Sequence, residues 1–173
     1  MAYKRLWILV EGNDDKRFFE GIIKPVLDCK YKFVQTWRYA QEPHKRIKNF
    51  LKSIKAMNSS YFFLKDINRA PCVTSKRNSI KRNYGARIDI NNIIIVVKEI
   101  ESWYLAGLDN KSCRELGLRA FRNTDNVTKE NFNSLMPEKF DSRIDFMIEI
   151  LKRFSVETGM QKNTSFNYLM AKI

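Results

Sequence analysis

Three short apolar runs each deliver the chain to a carboxylate, and this pattern limits the possible folds more than any other feature of the sequence. Leu6-Trp7-Ile8-Leu9-Val10 leads into Glu11-Gly12-Asn13-Asp14-Asp15. Tyr61-Phe62-Phe63-Leu64 leads into Lys65-Asp66-Ile67-Asn68, and Ile93-Ile94-Ile95-Val96-Val97 into Lys98-Glu99-Ile100-Glu101. Continuous apolar runs of this length fit strands covered on both faces, which is the habit of parallel sheets. The segments between them carry helical spacing. Phe18, Phe19, Ile22, Ile23 and Val26 predict a helix that begins at an Asn13 or Asp14 cap and reaches about Pro25. Tyr31–Trp37 reads as another strand, and Ile47, Phe50, Leu51 and Ile54 mark a second helix. Strands alternating with helices predict an α/β fold, a doubly wound and mostly parallel sheet, with residues 92–97 as a central strand.

Beyond Ile100 the pattern turns helical. Ile144, Met147, Ile148 and Leu151 form a stripe behind an Asp141-Ser142 cap, and Phe166, Leu169, Met170 and Ile173 repeat it. The expected organisation is an α/β domain over residues 1–110 and a helical C-terminal extension over 111–173 packed on it. The connection from Arg69 to Arg87 reads as a long loop, and its charge is one-sided: Arg69, Lys76, Arg77, Lys81, Arg82 and Arg87, with no acidic residue. Loops of that length are usually functional or disordered, and this one is expected to contact phosphates.

Charge points the same way. The 173 residues hold 32 Lys and Arg against 19 Asp and Glu, a net of +13, so a polyanionic partner such as DNA or RNA is the natural expectation. Cys29, Cys72 and Cys113 are widely spaced and odd in number, which argues against a disulfide framework or a zinc knuckle and fits a cytoplasmic protein. No apolar run is long enough to span a bilayer, so no membrane role is expected. His44 is the only histidine, which argues against histidine acid–base catalysis and leaves any metal to oxygen ligands.

If the three strands are neighbours, Glu11, Asp66, Glu99 and Glu101 gather at one sheet edge. Grouped carboxylates repel unless they share protons, pair with cations or hold a divalent ion. Mg²⁺ or Mn²⁺, with its preference for oxygen, suits such a set, and the combination of hard cation, carboxylates and basic surface is the logic of metal-assisted phosphodiester hydrolysis. Lys65 and Lys98 are placed to stabilise transition-state charge. The same residues have plainer readings. Glu11, Asp14 and Asp15 also favour a helix start, Asp66 and Asn68 form turns readily, and Glu99 and Glu101 suit a helix entry with Trp103 as core. The acid-free series Lys45, Arg46, Lys48, Lys52 and Lys55 reads as the solvated face of the second helix.

In order and spacing these motifs resemble the TOPRIM domain shared by topoisomerases, primases, and the OLD-type and ribosomal-RNA-maturing nucleases. The matching residues are Val10-Glu11-Gly12-Asn13-Asp14-Asp15, Lys65-Asp66-Ile67-Asn68 and Lys98-Glu99-Ile100-Glu101-Ser102-Trp103. They cover most of residues 5–107, and Thr164-Ser165-Phe166 is similar to the closing helix of small stand-alone members. The resemblance implies a metal-dependent nuclease with Glu11 as metal ligand or general acid/base and Asp66 as metal ligand, and it makes a partner ATPase a candidate. The chain departs from the family pattern at Asn68, where D-x-D would place a second aspartate. A neutral amide oxygen replaces a charge there, which Glu99 or Glu101 would have to compensate. The alternative expectation is a catalytically silent nucleic-acid-binding or regulatory protein with a degenerate metal site.

Overall fold

The computed structural model describes residues 5–173 and divides by internal contact into two units, Met1–Ile95 and Val96–Ile173. Among the described residues no helix is long and apolar enough to cross a membrane.

The first unit is built on a four-stranded, all-parallel sheet. The strands are β1 (Arg5–Val10), β2 (Phe33–Arg38), β3 (Ser60–Asp66) and β4 (Ile93–Val96), in the order β2-β1-β3-β4. Arg5 to Val10 pair in register with Phe33 to Arg38 on one side, and Leu6 to Leu9 with Ser60 to Phe63 on the other. The α/β expectation is met, with one correction of position. β4 lies at an edge of the sheet and β1 is central, although all four side chains of β4 are buried. A continuous apolar run therefore reports cover on both faces and not rank within the sheet.

Helix α1 (Asn13–Phe18) starts from Gly12, not from Asn13 or Asp14, because the Asp15 carboxylate reaches back to accept the Gly12 N–H at 3.0 Å. A π-helical turn at Phe19–Ile23 joins it to α2 (Lys24–Leu27). Pro25 explains that widening. It has no N–H to donate, and its ring crowds the carbonyl four residues earlier, so the ladder slips and the Lys24 N–H bonds the Phe19 carbonyl. Helix α3 (His44–Ala56) buries Ile47, Leu51 and Ile54 and turns most of its lysines to solvent, as its periodicity predicts.

The segment expected to be a basic loop is mostly a helix, α4 (Val73–Tyr84). The Cys72 sulfur caps it by accepting the Ser75 N–H at 3.4 Å, and Ile80 and Tyr84, four residues apart, are its buried anchors. Three widely spaced apolar positions, Val73, Ile80 and Tyr84, among four cations make a thin stripe, which is why periodicity alone gave no helix here. The core of this unit joins Leu9, Tyr39, Leu51, Phe63, Tyr84 and Ile95.

The second unit is helical: α5 (Glu101–Ala106), α6 (Asn110–Leu116), α7 (Lys129–Leu135), α8 (Arg143–Lys152), α9 (Val156–Lys162) and α10 (Thr164–Met170). Aromatic rings fill its interior, with Trp103 against Phe166 at 5.5 Å and Phe132 against Phe146 at 5.2 Å. Helix α8 turns only part of the expected stripe inward. Ile144 and Ile148 are 49% and 40% exposed, while Phe146, Met147 and Ile150 are buried. This helix carries two apolar faces, and the one with the aromatic ring removes more surface from water.

Candidate functional site

The strand order places a topological switch between β1 and β3. The chain leaves β1 to one side to form β2 and returns on the other side to form β3, and in open α/β sheets such a point, at the carboxyl ends of the strands, is where ligands bind. Glu11 follows β1 directly and Asp66 is the last residue of β3. The two meet. The Asp66 backbone N–H donates to Glu11 Oε2 at 2.9 Å, and the Lys65 ammonium donates to Glu11 Oε1. Glu11 and Lys65 are each about a quarter exposed, so the pair is sheltered but reachable from solvent. Asn68 sits just beyond, exposed, at φ 50°, a left-handed conformation that Asn tolerates better than most residues.

Two participants were not among the site residues expected from the sequence. Asp15, which ends the Val10–Asp15 motif and was otherwise read as a helix-start residue, is 7% exposed and is tied to the Gly12 N–H beside Glu11. Tyr39 is buried behind the site, its N–H on the Val10 carbonyl at 3.0 Å and its hydroxyl donating to the Leu64 carbonyl at 2.5 Å. Burial, followed by the charges of Glu11, Tyr84, Asp15 and Asp66, pushes the Tyr39 phenol well above its usual value. Carboxylates from the β1 end, the α1 start and the β3 end thus act on one ring.

Alkaline stability should report this arrangement. The folded pKa of Tyr39 lies above the unfolded value of about 10, so its contribution is fully present below pH 10 and is lost as pH rises through the folded value. Tyr61 and Tyr84 are raised as well, chiefly by burial. The contribution of these three tyrosines is therefore expected to hold level up to about pH 10 and to fall beyond it. Tyr39→Phe, followed by urea unfolding at stepped alkaline pH, should fall less steeply than the wild type. Equal alkaline slopes would contradict the assignment.

A cleft of about 570 Å³ opens at the same sheet end, with Glu11, Gly12, Lys16, Trp37, Arg38 and Glu42 in its wall. Arg38 donates to the Asn13 side-chain oxygen, holding a guanidinium at the rim. Cationic and acidic groups thus share one crevice.

The remaining sequence candidates are placed differently. Lys98 is exposed at φ 63°, while Glu99 accepts the Lys129 N–H at the start of α7. Glu101 is 4% exposed and forms an ion pair with Arg143. The contacts of Glu99 and Glu101 lie within the second unit and give both a structural occupation. Among the basic series, Arg77 donates to the Ile93 carbonyl at 3.1 Å and Lys81 to the Ile88 carbonyl at 2.5 Å, bracing the approach to β4. Lys76 is half-buried, whereas Arg69, Arg82 and Arg87 are exposed.

Among the described residues no three of His, Cys, Asp and Glu come together as a metal-holding group. At the switch point the side chains that could offer oxygen to a cation are those of Glu11, Asp66 and Asn68. They are hard and few, which matches Mg²⁺ in kind, because that ion commonly takes one or two carboxylates and completes its shell with water and phosphate oxygens.

No family model matches the chain, and no curated protein matches it. Among solved structures it is similar to the C-terminal region of the Xanthomonas campestris pv. campestris OLD protein, at 14% identity and a TM-score of 0.40, over 100% of this chain and 87% of that one.

Proposed function

We propose that this chain is a TOPRIM-type nuclease module that hydrolyses nucleic-acid phosphodiesters with Mg²⁺ or Mn²⁺ held by Glu11, Asp66 and the Asn68 carbonyl oxygen. The observation that carries the reading is the hydrogen bond from the Asp66 N–H to Glu11 Oε2 at the β1/β3 switch point, which brings two acids distant in sequence to one place. The basic balance of the chain supports a polyanionic substrate. When bound, the ion supplies polarisation of a phosphoryl oxygen and offsets the repulsion between the substrate and the acids. Glu11 can take a proton from the attacking water, and Lys65, beside it, can face the charge that grows on the phosphoryl oxygens. Lys98, Glu99 and Glu101 fall outside this assignment.

The test is incubation of the purified protein with labelled single- and double-stranded DNA and RNA in Mg²⁺, Mn²⁺ or EDTA. Cleavage in either metal and none in EDTA is the expected result. Intact substrate under every metal condition would sink the nuclease reading.

A second reading has its own observation. Lys65 already neutralises Glu11, and Asn68 contributes no charge, a combination that suits a protein that binds nucleic acid without cutting it. Asn68→Asp separates the two. Asp also tolerates the left-handed backbone, so the change adds one charge with little strain. If the site is a metal site, Mn²⁺ affinity should rise by at least about tenfold, since one added charge about 4 Å from a divalent ion gains roughly 2 kcal/mol even at the dielectric of water. Titration calorimetry that finds no Mn²⁺ binding in either protein, with nucleic-acid binding intact, selects the silent form.

A further inference from the structure

At the opposite end of the sheet lies a second feature, built entirely within the first unit. Two adjoining clefts of about 440 and 410 Å³ share Lys55, Ala86 and Arg87 in their walls, and Lys52 extends the wall along α3. The floor is the turn into β3. There α3 ends with Asn58 in a left-handed conformation at φ 49°, and the Ser59 N–H bonds the Ile54 carbonyl at 3.0 Å. Lys52, Lys55 and Arg87 are exposed, and among the described residues none of them is in a salt bridge. The one acid in the wall is Asp89, whose carboxylate accepts the Asn91 N–H. Ser59 also lines the groove and carries a buried hydroxyl with no hydrogen-bond partner in the chain.

We propose that this groove is a nucleic-acid backbone site, in which Lys52, Lys55 and Arg87 bind phosphates. It is distinct from the acid site. β3 runs seven residues from the groove to Asp66, which at about 3.3 Å per residue separates the two by roughly 20 Å. The groove therefore anchors the strand and does not present the reacting phosphate. Nucleic acid as the ligand rests on the functional reading above, whereas the position of the groove does not.

The experiment measures binding of a labelled single-stranded oligonucleotide in EDTA across a salt series. It compares the wild type, the triple variant K52Q/K55Q/R87Q, and K111Q/R114Q/R119Q as a control that removes the same charge from exposed positions in the second unit. Three lost phosphate contacts should lower the slope of log Kd against log salt by about 2, at about 0.7 per contact on a single strand. The control should change it by less than half as much. Arg87→Gln alone should remove about 0.7, which guards against misfolding of the triple variant. An unchanged slope in the groove variants, or an equal loss in the control, overturns the proposal. Groove-dependent binding without cleavage overturns only the nuclease reading, and cleavage with an unchanged slope overturns only the groove.

Discussion

Glu11→Gln is expected to lower metal-dependent cleavage by about 10²- to 10⁴-fold, the range of a lost acid–base group, while leaving the protein folded. The amide is nearly the same size as the carboxylate and keeps an oxygen that can accept the Asp66 N–H, so the bridge between the ends of β1 and β3 survives. What disappears is the charge. Lys65 then loses its ionic partner, but the pair is partly exposed, and its removal should cost about 1 kcal/mol or less. Nucleic-acid binding in EDTA should be unchanged or slightly tighter, because the substitution removes a negative charge from a cleft that a polyanion approaches. Cleavage assays and thermal melting of the two proteins run side by side check all three expectations. If Glu11→Gln cuts as fast as the wild type, the chemistry lies elsewhere.

Lys65 has two roles that separate in the same way. Its ammonium sits on Glu11 and lies 5.9 Å from the centre of the Tyr39 ring, so it is held from two sides within a carboxylate-rich pocket. An exposed lysine could be dismissed as surface charge. This one is positioned where a phosphoryl oxygen beside Glu11 would meet it, which is why the proposal gives it an electrostatic part in hydrolysis and a resting part as counter-ion.

The strands and their carboxylate ends were legible because a continuous apolar run of five or six residues, bounded by polar turn formers, suits little besides a strand covered on both faces. That pattern placed Glu11 and Asp66 at the ends of β1 and β3, and the strand order made those ends neighbours. Edge and centre were not legible, since β4 is buried without being central. Helix α4 was hidden because its anchoring rests on the widely spaced Val73, Ile80 and Tyr84, with the residues between them polar. Asp15 and Tyr39 were hidden for another reason. Nothing in a sequence distinguishes a helix-start aspartate that points at solvent from one that curls back onto Gly12, and only the fold brings residue 39 behind residues 11 and 66. The acidic motif around Glu99 and Glu101 shows the converse. Its spacing suggested ligands, and its plainer reading as a helix entry with Trp103 in the core describes the contacts found there.

The Thr164-Ser165-Phe166 segment, only a loose match in sequence, begins a helix whose cap, Asn163, makes four side-chain hydrogen bonds, and Asn163→Ala should be among the most destabilising changes in the second unit. Asn163 is 1% exposed. Its Oδ1 accepts the Phe166 N–H at 3.0 Å and the Ser165 hydroxyl at 2.9 Å, and its Nδ2 donates to Thr124 Oγ1 at 3.1 Å and Ser102 Oγ at 3.3 Å. The Ser165 oxygen in turn accepts from Trp103 Nε1 at 2.8 Å and from the Val97 N–H at 3.2 Å. Alanine removes the cap of α10, about 1 kcal/mol, and strips one partner from each of three hydroxyls that are themselves buried, at about 1 kcal/mol or more where no water can enter. Those hydroxyls keep some contacts, since Ser102 still reaches the Val97 carbonyl and Thr124 the Lys162 carbonyl. A total of about 3 kcal/mol follows, which for a chain of this length is a fall of roughly 10 °C in Tm. Asn163→Ser retains a capping oxygen and should recover part of the loss, whereas Asn167→Ala, exposed on the same helix, should stay within about 0.5 kcal/mol of the wild type. Calorimetric melting of the three variants orders them. A midpoint for Asn163→Ala that matches Asn167→Ala would mean that the buried network does not hold this unit together.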